Sequence, residues 1–363
     1  MSIMGARNRE RGRGRAESGN HRRPRNLRPV TTINQRSGAT ATAMLGLGVH
    51  RPDRIVTNDE LCDVLDSSDE WIRTRSGIRT RRYAAEDESL LDMASIAAER
   101  ALKASGVAAG EVGTVIFATS THVQHTPAAA PMLADRLGSR AAAFDVSAGC
   151  AGFCHALSVA SDLVRGGNAG HVLVVGAERL STFMDPTDRG TAFIFADGAG
   201  ATVIGPAEEA GIGPVAWGSD GSQSHVISQS LRCDELDQDH PLVVRMQGTQ
   251  VFRWAPFAMA DVAREAVANA GLELSDLDAF IPHQANLRIT ETLARNLELP
   301  EDIAIARDVQ DSGNTSAASV PLAIEAMVRD GDAKPGDTAL LIAFGAGLSY
   351  AGQVVKIPPV AGA

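Results

Sequence analysis

The chain alternates short apolar runs with Ala-rich segments of helical periodicity from about residue 43 onward. Short apolar runs bounded by Gly or polar residues are typical of buried strands, and apolar residues that recur every three or four positions indicate amphipathic helices. The predicted strands are Val112–Ala118, Ala142–Val146, Val172–Gly176, Ala199–Ile204, Ala279–Ile281, Ala339–Ala343 and Gly352–Ile357. The predicted helices are Leu91–Ser105, Gly152–Arg165, Phe257–Ala270 and Leu287–Asn296. Strands that alternate with helices predict an α/β fold with buried sheets.

Two series of segments in this pattern resemble each other. In the first half, Val115–Thr121 is followed by AFDVSAGCAGFCHALSVA, HVLVVGAERLS and DGAGATVIG. In the second half, Ala279–Asn286 is followed by SGNTSAASVPLAIEAM, TALLIAFGAGLS and AGQVVKI. Both series give a strand, a small-residue turn into a helix, a strand with a Gly loop and a final strand. The pattern favours an internal repeat, although Ala-rich βαβ units also resemble each other by chance.

A repeat divides the chain into two similar halves, residues 43–212 and 213–363. Cys150 and Asn314 then occupy matching turns, and His283 follows the strand that matches Val115–Thr121. We therefore expect three polar groups to converge where the two halves meet.

The charge distribution separates residues 1–42 from the rest of the chain. Residues 1–36 carry ten Arg against Glu10 and Glu17, a net charge of +8. Because the whole chain has a net charge of −10, the remainder carries −18. The N-terminal stretch has no apolar periodicity, which predicts a disordered Arg-rich extension, either a transit peptide or a segment without function. The acidic body argues against nucleic acid as the main partner.

Cysteine usage and hydropathy indicate a cytoplasmic protein. The four cysteines, Cys62, Cys150, Cys154 and Cys233, form no CxxC pair and no zinc-type spacing, so we expect neither a disulfide framework nor a metal site. No apolar run reaches the ~18 residues that a membrane span requires. The sequence therefore predicts no membrane association.

Cys150 is the first candidate for chemistry. It stands in DVSAGCAGF, where a strand passes through small residues into a predicted helix. A helix start favours an anion and lowers a thiol pKa, so Cys150 is a candidate nucleophile. Taken alone, a cysteine among Ala and Gly is more often a small buried core residue, which is our interpretation of Cys154.

Two further polar residues and one loop extend this hypothesis. His283 ends a strand in IPHQAN, and Asn314 lies in the polar turn DSGNTSAAS that opens a helix. Each has a structural alternative, a satisfied core histidine and a helix cap. The Gly-rich loop FGAGLS near the C-terminus could aim backbone N–H groups at an oxyanion. Neither GxxxxGK nor GxGxxG occurs, so the loop does not indicate a phosphate site.

Taken together, these motifs resemble the β-ketoacyl-ACP synthase III family. The resemblance rests on GCAGF, PHQAN, GNTSAAS and FGAGLS, together with SDEWI at Ser68, RSGIR at Arg75 and DPTDRG at Asp185, and it spans about Ala43 to Pro358. It implies the thiolase-like fold, a five-layered α-β-α-β-α arrangement of two similar halves, and a homodimer.

The resemblance also implies a reaction that starts type II fatty-acid synthesis. An acyl group passes from coenzyme A to the Cys150 thiolate; malonyl on the acyl carrier protein then loses CO₂, and the enolate attacks the acyl-enzyme. His283 and Asn314 would donate hydrogen bonds to the malonyl thioester oxygen. The N–H groups of Cys150 and Ala346 would form the other oxyanion hole, Ala346 standing where the family often has Gly. No cofactor is implied, because acyl-CoA is a substrate.

Family contacts to coenzyme A map onto Trp71, Arg75, Arg189 and Asn286. The resemblance implies that Trp71 and Arg189 sandwich the adenine and that Arg75 lies near the nucleotide phosphates. A core aromatic and solvated charges are the structural alternatives.

Two basic positions and one loop residue bear on partners and substrates. Arg288 and Arg253 map onto positions that dock the acidic carrier protein, which a local basic patch would steer on an acidic body. Thr126 falls where short-chain members have Phe, lining the acyl pocket across the dimer. A smaller residue there implies medium or long acyl primers.

Other enzyme classes agree less well with these motifs. Elongating condensing enzymes use two His beside Cys and thiolases use a second Cys, so Asn314 speaks against both. Plant-type polyketide synthases normally end in GFGPG, unlike FGAGLS. A relative that serves polyketide or other secondary metabolism would keep the same residues. A non-enzymatic binder acting through the basic tail would lose its partner on deletion of residues 1–40, whereas the enzyme would keep its turnover.

Overall fold

The computed structural model describes residues 33–231 and 242–362. The strands are β1 Thr42–His50, β2 Arg54–Thr57, β3 Thr80–Tyr83, β4 Val112–Ala118, β5 Ala142–Val146, β6 His171–Arg179, β7 Asp197–Pro206, β8 Ala216–Ser219, β9 Ile227–Gln229, β10 Val244–Met246, β11 Ala279–Pro282, β12 Ala304–Ile305, β13 Thr338–Gly345 and β14 Ser349–Lys356. The helices are α1 Asn58–Cys62, α2 Asp69–Ser76, α3 Leu90–Ser105, α4 Ala129–Arg136, α5 Gly152–Arg165, α6 Gly248–Asn269, α7 Leu287–Leu297, α8 Val309–Ser312 and α9 Ser319–Asp330.

The first backbone hydrogen bonds of the folded body lie just before strand β1. Most of the expected extension over residues 1–42 lies outside the described residues, as does Cys233. Within the body, the Gly38 N–H already donates to the Arg165 carbonyl at 3.0 Å, and β1 begins at Thr42. Backbone pairing therefore starts slightly before Ala43, where the sequence placed the first folded residue.

Two five-stranded sheets share one topology. The first sheet has the order β1-β7-β6-β4-β5 and the second has the order β8-β14-β13-β11-β12. In each sheet the last three strands in that order are mutually parallel, and the first two pair antiparallel. This identity of order and direction confirms the predicted internal repeat and its two similar halves.

The apolar runs follow from burial of each sheet on both faces. In β4, Val115 and Phe117 pack with helices α3 and α4 on the outer side, while Ile116 and Ala118 face the centre of the molecule. A strand covered on both faces needs apolar residues at consecutive positions, which is why this segment lacks a polar alternation.

The layers stack in the order helix, sheet, helix, sheet, helix. Helices α3 and α4 cover the outer face of the first sheet, and α6 and α7 cover the outer face of the second. Helices α5 and α9 lie between the sheets, in one cluster with side chains from both. This arrangement confirms the predicted five-layered α-β-α-β-α fold.

Most predicted elements lie where the sequence placed them, and α6 is the largest difference. It begins at Gly248 and runs through Pro256, whereas the predicted helix began at Phe257. Proline in a helix interior costs roughly 3 kcal/mol. Val251 and Ala255, which precede the proline, are buried against the second sheet, and their burial offsets part of that cost.

The central helices begin in two equivalent turns. Each helix is preceded by a three-residue 3₁₀ turn, Gly149–Ala151 before α5 and Ser316–Ala318 before α9. Each turn lies against a strand of the other half, because a Cβ at Gly176 of β6 would be 2.4 Å from the Ala317 carbonyl oxygen. The fold thus requires the absence of a side chain at Gly176.

We predict that Gly176→Ala lowers the free energy of unfolding by about 1–3 kcal/mol, because backbone of the other half must move to admit the methyl group. Urea unfolding followed by circular dichroism measures the change. The matched control is Gly170→Ala, six residues earlier, where a Cβ would meet nothing within 4 Å. Equal stability of the two variants would contradict the close approach that we describe.

Candidate active site

Cys150 occupies the turn that opens α5. Strand β5 ends at Val146, and Gly149 turns the chain with φ +52° so that the helix can begin at Gly152. Only small residues, Ser147 to Ala151, connect the strand to the helix. The structure therefore places Cys150 at a helix start, as the sequence predicted.

The thiol does not have the lowered pKa that we expected from its position. Burial raises the pKa of Cys150 to about 12; a hydrogen bond with Ser316 opposes this rise, and the negative charge of Glu178 adds to it. Desolvation of the thiolate therefore outweighs the favourable helix start. Cys154, one turn further, is buried in the apolar cluster between the sheets, and burial alone raises its thiol pKa to about 12.

Asn314 lies in the turn that precedes α9. It is 4% exposed, and its Oδ1 accepts a hydrogen bond from the Ser316 N–H at 2.8 Å. Since the amide oxygen is held in this way, the Nδ2 donor is the end of Asn314 that remains for a ligand. The side chain does not cap α9, so the helix-cap alternative is wrong.

His283 follows strand β11 directly. Its backbone N–H donates to the Ile342 carbonyl at 2.7 Å, and its Nδ1 lies 2.6 Å from the Ser319 hydroxyl. The ring packs edge-on against Phe344, with 5.4 Å between centroids. Burial lowers the pKa of His283 to about 3, so the imidazole is neutral at physiological pH.

Contacts link these three residues into one site. Ser316 hydrogen-bonds both the Cys150 thiol and Asn314. On the other side, Phe344 contacts His283, and the residue after it, Gly345, lies so close to Cys150 that a Cβ would be 2.4 Å from the Cys150 nitrogen. The two halves of the fold thus bring together the residues that the sequence singled out.

The loop after β13 lies beside the turn that carries Cys150. A Cβ at Gly149 would be 2.8 Å from the Ala346 nitrogen, so the Ala346 N–H lies next to the nucleophile turn. The Cys150 N–H hydrogen-bonds its own thiol. Two backbone donors from different halves are therefore neighbours at this point.

A cavity of about 410 Å³ leads from the surface to Asn314. Its lining includes the exposed Arg75, Arg189 and Arg288 at one end and the buried Asn314 at the other. Two cavities of similar volume, about 450 and 430 Å³, contain none of the predicted site residues. The cavity with the chemistry is thus identified by its residues and not by its size.

Trp71 forms the centre of a cationic cluster at the outer end of this cavity. The Arg189 guanidinium lies 5.0 Å and the Arg75 guanidinium 5.7 Å from the Trp71 ring centroid. The ring also packs edge-on against Phe193 at 5.3 Å. A base inserted between Trp71 and Arg189 would have to displace the guanidinium, because the two side chains are in direct contact.

Asn286 has a structural role in addition to the contact predicted for it. Its Oδ1 accepts from the Arg288 N–H at 2.9 Å and caps α7, while its Nδ2 donates to the Arg75 carbonyl at 3.2 Å. The residue therefore joins α2 to the start of α7 at the cavity wall.

The remaining predicted residues are on the surface. Arg288 is exposed and lies over the Phe252 ring at 4.9 Å, and Arg253 is exposed on the neighbouring helix α6 without lining the cavity. Thr126 is exposed in the loop before α4 and does not line the cavity of its own chain.

Sequence reasoning missed three buried polar residues of the site: Ser316, Ser319 and Glu178. The two serines belong to the GNTSAAS motif that was already noted, but their contacts depend on tertiary packing. Glu178 carried a signal of its own, since an acid inside the apolar run HVLVVGAERLS needs partners when it is buried.

The described residues contain neither a metal-type cluster nor a helix that could span a membrane. Within residues 33–231 and 242–362, no group of three or more His, Cys, Asp or Glu side chains is arranged to hold a metal ion. No helix in the same ranges has the length and apolar content needed to cross a bilayer.

Comparison with known proteins relates this geometry to a family. Residues 144–221 match the family model "3-oxoacyl-[acyl-carrier-protein (ACP)] synthase III", and residues 267–357 match its C-terminal model. Similar curated proteins are the β-ketoacyl-[acyl-carrier-protein] synthase III of Mycobacteroides abscessus, 52% identical over 337 residues, and the mycobacterial enzyme of that name from Mycobacterium tuberculosis, 52% identical over 334 residues. Each alignment covers 91% of this chain and 99% of the relative.

Solved structures give the same assignment. The priming β-ketosynthase of the R1128 polyketide biosynthetic pathway is 45% identical with a TM-score of 0.87, covering 91% of this chain and 99% of that one. The synthase III of Thermus thermophilus is 41% identical with a TM-score of 0.81, covering 87% and 99%. The chain therefore belongs to the β-ketoacyl-[acyl-carrier-protein] synthase III family and is a condensing acyltransferase.

Proposed function

We propose that Cys150 accepts the acyl group of an acyl-CoA and that malonyl-ACP then condenses with it, giving a β-ketoacyl-ACP. The observation that carries this proposal is the meeting of Cys150, His283 and Asn314, of which Asn314 lines the inner end of a cavity whose outer end is cationic. A thiol, two neutral hydrogen-bond donors and an arginine-lined entrance suit a thioester attached to a phosphate-bearing carrier.

The first step is transfer of the acyl group to the Cys150 thiolate. Negative charge develops on the acyl carbonyl oxygen as the thiolate adds, and the neighbouring N–H groups of Cys150 and Ala346 are the donors that we assign to it. The donors are backbone groups, so alanine at position 346 supplies the same N–H as glycine.

The second step is decarboxylation of the malonyl group. The electrons of the broken C–C bond move to the thioester oxygen, where the Asn314 Nδ2 and the His283 Nε2–H would stabilise the charge. The neutral His283 carries that Nε2 proton when its Nδ1 accepts from Ser319. The Gln284 N–H donates to the Ser319 oxygen at 3.4 Å, so the Ser319 oxygen acts as an acceptor there. Its hydroxyl proton is then available to donate to the His283 Nδ1.

The outer cavity is the place that we assign to coenzyme A. Its adenine would stack on Trp71 after Arg189 moves aside, and Arg75 and Arg189 would face the nucleotide phosphates. Asn286 would contribute by holding α2 and α7 together at the wall, beside any contact of its own.

The carrier protein would dock on the exposed surface of α6 and α7, where Arg253 and Arg288 lie close to the cavity entrance. On a body with a charge of −18, a local pair of cations orients an acidic partner more than it increases the overall attraction.

We also propose a cytoplasmic homodimer. Strand β5 is an edge of the first sheet, and its Phe144 is 40% exposed. An edge strand with an exposed aromatic side chain is a favourable pairing surface for a second copy. The Thr126 loop leads into α4, whose first N–H groups are held by Asp145 of β5, so pairing along β5 would bring Thr126 towards the partner's acyl pocket.

A role in secondary metabolism is the second candidate. The R1128 priming enzyme supports it at 45% identity, whereas curated synthase III enzymes reach 52%. Primary fatty-acid initiation is therefore the function that we favour, with medium or long primers admitted by Thr126.

We predict that acyl-CoA alone acylates Cys150, because the first step needs no carrier protein. Intact mass should show one thioester adduct per chain, and Cys150→Ser should show none. Cys154→Ala, one helical turn away, is the matched control and should keep the adduct. An adduct that persists in Cys150→Ser, or that maps to Cys154, would refute the assignment.

We predict that His283→Ala and Asn314→Ala slow malonyl decarboxylation about 10²-fold or more, because each removes a donor to the developing oxyanion. Acyl transfer, measured separately with the first substrate alone, should fall much less. His155→Ala, which removes a histidine that stacks on Trp217, controls for the loss of an aromatic ring near the site. Acyl transfer abolished with decarboxylation intact would reverse these roles.

We predict that Thr126→Phe raises the transition-state free energy for dodecanoyl-CoA by about 1–3 kcal/mol and so lowers its kcat/KM, since a phenyl ring fills space that chain methylenes would use. The kcat/KM for acetyl-CoA should be unchanged. Gln124→Phe adds a ring two residues earlier in the same loop and should leave both substrates unchanged. A wild type that already prefers acetyl-CoA over dodecanoyl-CoA would exclude the long-chain proposal.

A further inference from the structure

Glu178 is a fully buried acid to which the mechanism above gives no role. Its side chain, on β6 beside the site, accepts hydrogen bonds from the Thr119, Ser120, Thr121 and Ser316 hydroxyls at 2.6–3.1 Å and from the Ser120 N–H. Among the described residues, neither carboxylate oxygen has a hydrogen bond or ion pair with a cation. A buried carboxylate held only by neutral donors is costly, so its presence needs a reason.

Ser316 connects this acid to the nucleophile. Its hydroxyl donates to Glu178 at 3.0 Å and also hydrogen-bonds the Cys150 thiol. With its proton directed to Glu178, the Ser316 oxygen can accept from the thiol; once the thiolate forms, the hydroxyl donates to sulfur, and this is the hydrogen bond that lowers the thiol pKa. The three groups therefore form a continuous path for a proton from sulfur to carboxylate.

The backbone of Ser316 supports a functional origin for this contact. Its φ is +50°, a left-handed conformation that a side chain disfavours. The equivalent turn of the first half has Gly149 at the same position, with φ +52°. Glycine would satisfy this turn without strain, so the serine is explained by what its hydroxyl contacts.

Charge conservation explains why the nucleophile needs such a path. Burial raises the pKa of the Cys150 thiol, and the Glu178 charge raises it further, so a thiolate beside an ionised Glu178 is strongly disfavoured. Burial also raises the pKa of Glu178, which makes it a better base than an exposed carboxylate. Moving one proton from the thiol to Glu178 keeps a single negative charge in the site.

We propose that Glu178 receives the Cys150 proton through the Ser316 hydroxyl during acyl transfer. The proposal rests on the role of Cys150 as the acylated residue. Glu178 does not touch the thiol or the substrate and acts through Ser316.

The proton path balances in both directions. The Cys150 S–H bond breaks as its proton moves to the Ser316 oxygen, and the Ser316 proton moves to Glu178, giving a thiolate and a neutral carboxylic acid. The thiolate forms a bond to the acyl carbon, and the C–S bond to coenzyme A breaks. The leaving CoA thiolate takes a proton from Ser316, which takes one from Glu178, so free CoA thiol and the Glu178 carboxylate are restored.

Few groups around Glu178 change charge near neutral pH. The Thr119–Thr121 segment after β4 and the Ser316 turn face it with neutral hydroxyls. His283, on the far side of Cys150, has a pKa of about 3 and stays neutral. The Arg179 guanidinium donates to the Ala85 and Glu86 carbonyls. Asp197, on the neighbouring strand β7, accepts hydrogen bonds from the Ser181 N–H and hydroxyl.

The pH dependence of Cys150 alkylation by iodoacetamide tests the path without any bound substrate. With an internal acceptor, thiolate formation moves a proton within the Cys150–Glu178 pair and releases none to solvent, so the rate at Cys150 should be flat above the pH at which Glu178 ionises. In Glu178→Gln the thiol can lose its proton only to solvent, and the rate should rise about tenfold per pH unit. Mass spectrometry of the Cys150 peptide separates this rate from that of other cysteines.

Ser316→Gly and Asp197→Asn complete the test. Ser316→Gly removes the hydroxyl and relieves the backbone strain, so it should change the pH profile as Glu178→Gln does without lowering the Tm. Asp197→Asn removes another buried carboxylate and should keep the flat profile even where the Tm falls. A tenfold rise per pH unit in the wild type, or a flat profile in Glu178→Gln or Ser316→Gly, would overturn the proposal.

The outcome separates this inference from the proposed function. Acyl-CoA labelling of wild-type Cys150 combined with a steep wild-type alkylation profile would remove the proton path and leave the nucleophile in place. An acyl adduct on another residue would remove the proposed function, whatever the alkylation profile.

Discussion

The close contact of each half with the helix start of the other half is the constraint on which the rest of the structure depends. Gly176 of β6 lies against Ala317, two residues before α9, and Gly345 of β13 lies against Cys150, two residues before α5. These two contacts occupy equivalent positions in the two similar halves. Since each helix start is positioned by the opposite sheet, neither half could form the site alone. The absence of side chains at Gly176 and Gly345 follows from this packing.

Burial at this contact determines the charge state of the site. It raises the pKa of the Cys150 thiol to about 12 and lowers that of His283 to about 3, so both groups are neutral near pH 7. For His283 this is an advantage, because a neutral imidazole with its proton on Nε2 can donate without bringing a buried charge. For Cys150 it is an obstacle, because the nucleophile must be an anion. One environment thus favours the second step and opposes the first, unless a proton acceptor lies nearby.

Local patterns in the sequence predicted most of the fold, and tertiary contacts account for what they missed. β4 and β5 have the predicted bounds because their apolar runs end in clear turn residues, and α5 does because its periodicity is regular. β1 was not predicted, since Gly46 and Gly48 are uncommon in strands.

For the site, motifs located Cys150, His283 and Asn314 because each stands at the end of a strand or the start of a helix. The thiol pKa was predicted in the wrong direction, since the helix start is visible in the sequence whereas desolvation depends on the other half. The contact of Ser316 with Glu178 joins residues 138 positions apart, and no local pattern indicates it.

The equivalent turns before α5 and α9 show how two similar halves acquire different roles. Both turns need a left-handed residue at the first position of the 3₁₀ turn. At Gly149 a side chain is excluded, because a Cβ would be 2.8 Å from the Ala346 nitrogen and would cover an N–H that we assign to the oxyanion. At Ser316 the hydroxyl reaches towards Cys150 and Glu178 instead. The same backbone geometry therefore opens space for substrate in one half and places a polar side chain against the nucleophile in the other.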